Sequence, residues 1–284
     1  MTPDFAADAD RLAAIALAED GSRDITSEVT VAGTARGTGR LEFRSGGVVA
    51  GQRYAQAVAQ LCGCRIEWAT AEGEQLPAKA VLGNATGPLG PLLRAERPLL
   101  NLLQRASGIA TTTRAYVAAV AGTPTRILHT RKTAPGLRLL DVAAVLAGGG
   151  ALHRLDLTET VMVKDNHWQA LADQRKPLSA ALAEARTSGV RGLQVEVESE
   201  SQLREACDAG ATRLLLDNQS PDTVRQWAAL ARRLAPGIEI EATGGITLEN
   251  VRAYAGAGAD FISVGALTHS VKAADIALEI LRER

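Results

Sequence analysis

The stretch ILHTRKTAPGLRLLDVAAVLAGGGALHRLDLTETVMVKDNH, Ile127 to His167, decides the architecture. Two short apolar runs frame it, Ile127-Leu128 and Val161-Met162-Val163. The first ends in His129, Thr130, Arg131 and Lys132, the second in Lys164, Asp165, Asn166 and His167. Between them His153-Arg154 follows a triple glycine, Gly148 to Gly150. A short apolar strand that ends in charge marks the carboxyl edge of a parallel α/β sheet, where ligands bind. Two unit charges about 4 Å apart interact by roughly 4 kcal/mol at an effective dielectric near 20. A cluster of cations at one edge therefore calls for a multiply charged anion, most simply a phosphorylated and carboxylated small molecule.

Outward from that stretch, the downstream chain alternates strands with helices. The runs Leu193–Glu198, Leu214–Leu216, Ile238–Glu241 and Phe261–Val264 are each followed by a helical pattern. Units of this kind imply parallel strands with right-handed crossovers. Six or seven strands fit between residues 125 and 266. A complete eightfold barrel takes about 250 residues, so the expected fold is α/β, an incomplete parallel α/β barrel; an open doubly wound sheet is the alternative.

Upstream, residues 4–19 read as a helix, and short alternating runs at 39–44, 47–50, 66–68 and 80–85 read as strands around a helix at 53–61. This predicts a smaller N-terminal α+β sandwich. A long helix is expected from Glu96 to Ala121, with Pro98 in its first turn. A last helix is expected near 271–281.

Composition narrows the function. The 31 Lys and Arg balance 32 Asp and Glu, so the basic excess of a nucleic-acid binder is missing. No apolar run reaches the roughly 18 residues of a membrane span. The acidic, amphipathic start lacks the pattern of a signal peptide. Cys62, Cys64 and Cys207 show no zinc spacing and read as reduced thiols, which points to the cytoplasm.

Three sets of side chains carry the chemistry. Thr243-Gly244-Gly245 and Gly265-Ala266 follow the last two strands, where backbone N–H groups can approach a phosphate. Glu196 and Asp217 end neighbouring strands. They could hold Mg2+ or ribose hydroxyls, stabilise a cationic sugar, or simply pair with Arg131 or Lys164. Arg131 and Arg154 offer planar forks for carboxylate, whereas Lys132 and Lys164 are point charges for phosphate. His153 is read as facing the ligand, His129 less so.

Together with Glu96-Arg97-Pro98, Thr130-Arg131-Lys132-Thr133, Lys164-Asp165-Asn166-His167, Leu216-Asp217-Asn218, Gly244-Gly245-Ile246-Thr247 and Ser263-Val264-Gly265-Ala266, these residues form an ordered set. The set resembles the quinolinate phosphoribosyltransferases, the carboxylating nicotinate-nucleotide pyrophosphorylases. The resemblance implies transfer of phosphoribosyl from phosphoribosyl pyrophosphate to quinolinate with Mg2+, releasing pyrophosphate and CO2 and giving nicotinate mononucleotide for NAD synthesis. It implies an N-terminal domain over residues 1–103, completed by a C-terminal helix 270–284, and a barrel domain over 104–269. It also implies a homodimer with a shared site. Arg131, His153 and Arg154 would face the quinolinate carboxylates, with Arg97 supplied by the partner subunit. Thr130, Lys132 and Lys164 would contact phosphoribosyl pyrophosphate or substrate. Glu196 and Asp217 would face ribose and metal. Gly244, Gly245 and Gly265 would hold the 5′-phosphate, and Thr243, Ser263 and Ala266 would also bind substrate.

Two departures stand out. Asp141-Val142-Ala143 lies where the family often has a Glu-Lys-Tyr-like segment, and Ala151-Leu152 where it commonly has an Asn beside the His. Both lean toward a molybdenum-transport-associated relative called ModD, which would take another acceptor, while Lys164-Asp165-Asn166-His167 favours quinolinate. A non-catalytic protein that binds a phosphorylated ligand is the remaining alternative.

Overall fold

The computed structural model describes residues 3–281. Its chain divides into two compact units, one built from residues up to Arg114, Lys132–Gly150 and Ala266 onward, the other from Ala115–Arg131 and Ala151–Gly265. The first unit thus takes more of the chain than a division at residue 103 would give it.

In chain order the first unit opens with α1 (Phe5–Glu19), α2 (Ile25–Thr30), β1 (Arg36–Phe43), β2 (Gly47–Val48), α3 (Gln52–Leu61), β3 (Arg65–Trp68), β4 (Gln75–Leu76) and β5 (Val81–Pro88). Asp24 caps α2, accepting from the Ser27 N–H at 3.0 Å. The long helix α4 (Leu89–Ala119) begins directly after β5, so Pro98 lies inside it and not in its first turn. An interior proline costs about 3 kcal/mol. Leu92, Ala95, Leu99, Leu103, Ala106 and Ile109 are all wholly buried at helical spacing across it, and burying a Leu or Ile contributes roughly 1.5–3 kcal/mol each. The apolar stripe therefore overrides the break.

The rest of the chain runs through β6 (Arg126–Leu128), α5 (Arg138–Ala147), β7 (Thr160–Val163), α6 (Asp165–Asp173), α7 (Leu178–Thr187), β8 (Gly192–Val197), α8 (Glu200–Asp208), β9 (Arg213–Asp217), α9 (Pro221–Leu234), β10 (Glu239–Thr243), α10 (Val251–Gly256), β11 (Phe261–Ser263), α11 (Ala266–His269) and β12 (Ile276–Ile280).

The expected terminal helix is corrected by β12, which is a strand. It pairs antiparallel with β1, Leu41 opposite Leu278, in a sheet ordered β12-β1-β5-β3. Ala, Leu and Glu favour helix, but Ile276, Leu278 and Ile280 alternate with period two, and β1 has an edge to cover. Leu278 lies over Gly39, where a Cβ would fall 2.4 Å from its Cδ2. Residues 282–284 and 1–2 of the expected domain fall outside the described residues.

The second unit holds six parallel strands in the order β6-β11-β10-β9-β8-β7. Taken around a circle this is the chain order, with β11 returning to pair with β6. Among the described residues the one seam lies between β6 and β7, where Ala151 forms an isolated parallel bridge to Leu128. The sheet is an incomplete barrel. Leu193, Val195, Val197, Leu214, Leu216, Ile240 and Ile262 are almost fully buried on its outer face, toward the helical layer.

Within the first unit, α4 runs close to the segment before β12. Gln104 accepts from the Ala274 N–H at 2.9 Å and donates to the Ile276 carbonyl at 2.7 Å. A Cβ on Gly108 would fall 2.2 Å from the Lys272 carbonyl oxygen. Gly108→Ala should therefore destabilise the protein by about 1–3 kcal/mol in urea unfolding; an unchanged midpoint would show that the segment yields.

Candidate active site

Strand register brings the acids together. Glu196 on β8 lies beside Leu215 on β9, and Asp217, two residues further on, faces the same side. Thr243 on β10 is the neighbour of Asp217. The Asp217 carboxylate accepts from the Asn218 side chain at 2.7 Å, and Asn218 sits at φ 53°. Lys164, the residue after β7, reaches Glu196 Oε2 at 3.3 Å. The indole N–H of Trp168 donates to the Glu196 carbonyl at 2.9 Å. Burial pushes the Glu196 carboxyl above the ordinary carboxylate range, and Asp217 and Asp165 add to the rise, against the opposing pull of Lys164.

Two cations of this edge lie within electrostatic reach of each other. Arg131 leaves the end of β6 and Arg154 follows the Ala151 bridge. Burial depresses the Arg154 guanidinium, and the nearby charge of Arg131 depresses it further. Arg154 is anchored by hydrogen bonds to the Thr160 carbonyl and Met162 Sδ, both at 3.2 Å. Among the described residues, Arg131 Nε is buried without a hydrogen-bond partner. Two guanidinium groups held near each other, with one N–H unsatisfied, are organised for an anionic ligand.

Below this rim the barrel interior is polar. The Glu241 carboxylate is 1% exposed, accepts from Ser263 Oγ at 2.5 Å, and lies 3.3 Å from His153 Nε2 and 3.0 Å from Arg213 Nη1. Burial alone would raise this carboxyl, but His153, Ser263 and Arg213 together hold it below the usual range. The His153 ring is thus turned inward, and the Ser263 hydroxyl is committed to Glu241. Sequence reasoning placed both against substrate.

Gly244 and Gly245 adopt φ of 81° and 60°. A Cβ on Gly244 would fall 2.2 Å from Asn218 Oδ1, whereas the space at Gly245 is open. This loop is braced by Asn250, which donates to the Gly245 carbonyl at 2.9 Å. The helix expected directly after it begins only at Val251, so any anion there would meet loop backbone and not a helix end. Gly265 and Ala266 lie just beyond β11, and Thr130 directly before Arg131.

Three predicted residues belong to the first unit. Lys132 is exposed; its carbonyl accepts from Thr268 Oγ1 at 2.9 Å. Arg105, clamped on the buried Asp141 by two 2.8 Å bonds, donates to the Thr268 carbonyl at 3.2 Å. Ala266 starts α11. Arg97 is exposed on α4, 4.0 Å from Glu96. A cleft of about 780 Å3 also opens in the first unit near Asp24 and Arg94. Its charges are satisfied locally, Asp24 capping α2 and Arg23 pairing with Glu28.

Among the described residues no group of three or more His, Cys, Asp or Glu side chains is placed to hold a metal. Glu196 and Asp217 supply oxygen donors of the kind a hard divalent cation takes, without a third protein ligand. No described helix is long and apolar enough to cross a membrane.

An α/β barrel whose rim carries paired guanidinium groups, paired carboxylates and a glycine loop defines an enzyme of multiply charged anions. Residues 24–107 match the family model for the N-terminal domain of quinolinate phosphoribosyl transferase, and residues 109–279 match that for its C-terminal domain. The probable nicotinate-nucleotide pyrophosphorylase (carboxylating) of Bacillus subtilis (strain 168) is 44% identical over 211 residues, 74% of this chain and 71% of the relative. The human nicotinate-nucleotide pyrophosphorylase (carboxylating) is 39% identical over 254 residues, 88% of this chain and 84% of the relative. The solved nicotinate-nucleotide pyrophosphorylase of Francisella tularensis superposes with a TM-score of 0.89 at 31% identity, covering 99% of this chain and 98% of that one. The chain belongs to the quinolinate phosphoribosyltransferase family.

A carboxyl whose pKa is raised by folding binds its proton more tightly in the native state, so its contribution to stability falls as pH rises. At pH 7 the desolvated, ionised Glu196 opposes folding, while half-exposed Lys164 loses little with its partner. Glu196→Gln should gain about 1 kcal/mol of unfolding free energy at pH 7. The gain should shrink as acid protonates the wild-type carboxyl. Urea melts at pH 7 and pH 4 test this, and a variant less stable at pH 7 contradicts it.

Proposed function

We propose that this chain transfers the phosphoribosyl group of phosphoribosyl pyrophosphate to quinolinate and releases pyrophosphate and CO2, giving nicotinate mononucleotide. The observation that carries the reading is the placement of two acids and two guanidinium groups at strand ends of one barrel. Glu196 and Asp217 stand there by register on β8 and β9. Arg154 is held by Thr160 and Met162, and Arg131 carries an Nε that is buried and unpartnered among the described residues. Quinolinate bears two carboxylates on adjacent ring carbons, which two guanidinium forks can fix in orientation. Its ring nitrogen attacks the ribosyl carbon as the bond to pyrophosphate breaks. Positive charge develops on the sugar, and the Glu196 and Asp217 carboxylates stabilise it. As the C2–carboxylate bond breaks and CO2 departs, the quaternised nitrogen stabilises the electron pair left on C2, and a proton from water then adds there to give the nicotinate ring.

Lys164 and Lys132 hold phosphate or substrate oxygens, with Thr130 between His129 and Arg131 on the same loop. Thr243, Gly244, Gly245, Gly265 and Ala266 receive the 5′-phosphate through backbone N–H groups. Glu196 and Asp217 would hold Mg2+, which would supply neutralisation of the leaving group's charge. The free thiols of Cys62, Cys64 and Cys207 fit the cytoplasm. The matched family models and relatives lend no support to the ModD-like reading or the non-catalytic one.

Protein incubated with quinolinate, phosphoribosyl pyrophosphate and Mg2+ should yield CO2 and nicotinate mononucleotide in equal amounts. Arg131→Ala should cut kcat/KM for quinolinate by about 10- to 100-fold while the melting temperature holds. Absence of product from the wild-type protein, at any substrate concentration, sinks the assignment. Unfolding of Arg131→Ala would instead make Arg131 structural.

The same proposal includes a homodimer in which Arg97 completes the site of the partner copy. Arg97→Ala and Lys164→Ala, each inactive alone, should regain about a quarter of wild-type activity after mixing and subunit exchange, because half the sites of a mixed dimer are intact. No recovery after demonstrated exchange would place Arg97 in its own subunit's site or outside any site.

A further inference from the structure

We infer that Glu241 is a positioning residue for the carboxylate-binding part of the rim: it fixes the His153 ring, and through that ring the backbone from which Arg154 projects. The inference rests on the reading of Arg154 as a quinolinate ligand.

Each oxygen of the buried Glu241 carboxylate is engaged. Oε1 accepts from Ser263 Oγ at 2.5 Å. Oε2 lies 3.0 Å from Arg213 Nη1 and 3.3 Å from His153 Nε2. On the far side of the imidazole, His153 Nδ1 accepts the backbone N–H of Arg154 at 2.6 Å. A nitrogen that accepts cannot also carry the proton, so the His153 proton sits on Nε2 and is donated to Glu241. A second imidazole repeats the pattern one residue earlier. His129, wholly buried, accepts the His153 backbone N–H on Nε2 at 3.0 Å. Its own proton then sits on Nδ1, 3.3 Å from the Thr130 carbonyl.

Two consecutive backbone N–H groups, at residues 153 and 154, are therefore held by ring nitrogens. This segment has no strand ladder beyond the single bridge at Ala151. Side chains supply what a ladder would otherwise supply, and Glu241 anchors them from the barrel interior. Arg213 is held in turn by Glu239 at 2.8 Å and stacks 3.9 Å over the Phe261 ring, so the anchor has its own support. The rim arginine is thus tied to strands β9, β10 and β11, although it follows none of them.

The conservative replacement separates shape from packing. In Glu241→Gln the amide oxygen can occupy the Oε2 position and still accept from His153 and Arg213, while the amide N–H donates to Ser263. In Glu241→Met no acceptor remains. Glu241→Met should raise KM for quinolinate by about 10-fold or more while KM for phosphoribosyl pyrophosphate moves less than about 2-fold, and Glu241→Gln should recover most of the loss. Equal loss in both KM values, or no change in either, overturns the inference. A second measurement needs no variant: 15N NMR of the wild-type imidazoles should show His153 with a bare Nδ1 and a protonated Nε2. A proton on Nδ1 overturns it even if Glu241→Met fails to fold. Should the wild-type protein not turn over quinolinate, the functional assignment falls while the tautomer still decides whether the Glu241 anchor exists.

Discussion

Like charges held together against their repulsion are the constraint on which this molecule depends. Burial depresses Arg154 and raises Glu196, and the like charges of Arg131 and Asp217 add to these shifts. Neither pair relieves its strain fully inside the protein: Lys164 offsets part of the acidic side, and Arg131 Nε is left without an acceptor. Such arrangements cost stability and persist where they meet a ligand of opposite charge at the moment of function. A dicarboxylate answers the first pair, and a sugar acquiring positive charge answers the second.

The incomplete barrel is the means of assembly. Parallel strands deliver their terminal residues to one edge, so groups far apart in sequence arrive side by side without long-range loop closure. The seam between β6 and β7 leaves one ladder unmade, and the residues that follow it must be held otherwise. His129, His153 and Glu241 do this from within. In the first unit Asp141 and Arg105 hold Thr268, which bonds the Lys132 carbonyl. Asp141 stands in the segment where the family often carries a Lys, here Val142, which is buried. The local role is therefore a buried clamp and not a further surface cation.

The strand-end residues were legible because parallel strands are short apolar runs that stop at charge. Lys164, Glu196 and Asp217 could be placed from that alone, and the six strands with them. What lay hidden depended on partners distant in sequence. β12 reads as helix by propensity, and only the open edge of β1 makes it a strand. Pro98 reads as a helix start, yet the buried stripe on either side carries the helix through it. Glu241 sits in an alternating Ile-Glu-Ile-Glu run that could face solvent; closure of the barrel turns it inward. Asn218 gave one signal that could have been used, an Asn directly after a strand-ending Asp, a residue that tolerates the left-handed conformation it adopts. The inward turn of His153 and Ser263 had no sequence signal, since the acceptor that draws both of them, Glu241, is distant from His153 in sequence and lies on another strand.

Calorimetric titration of pyridine carboxylates tests the central claim, that opposed guanidinium groups bind two adjacent carboxylates. Pyridine-2,3-dicarboxylate should bind at least about 10-fold more tightly than pyridine-3-carboxylate, and in Arg154→Met the difference should collapse. Equal affinity of the wild-type protein for the two acids would contradict the account.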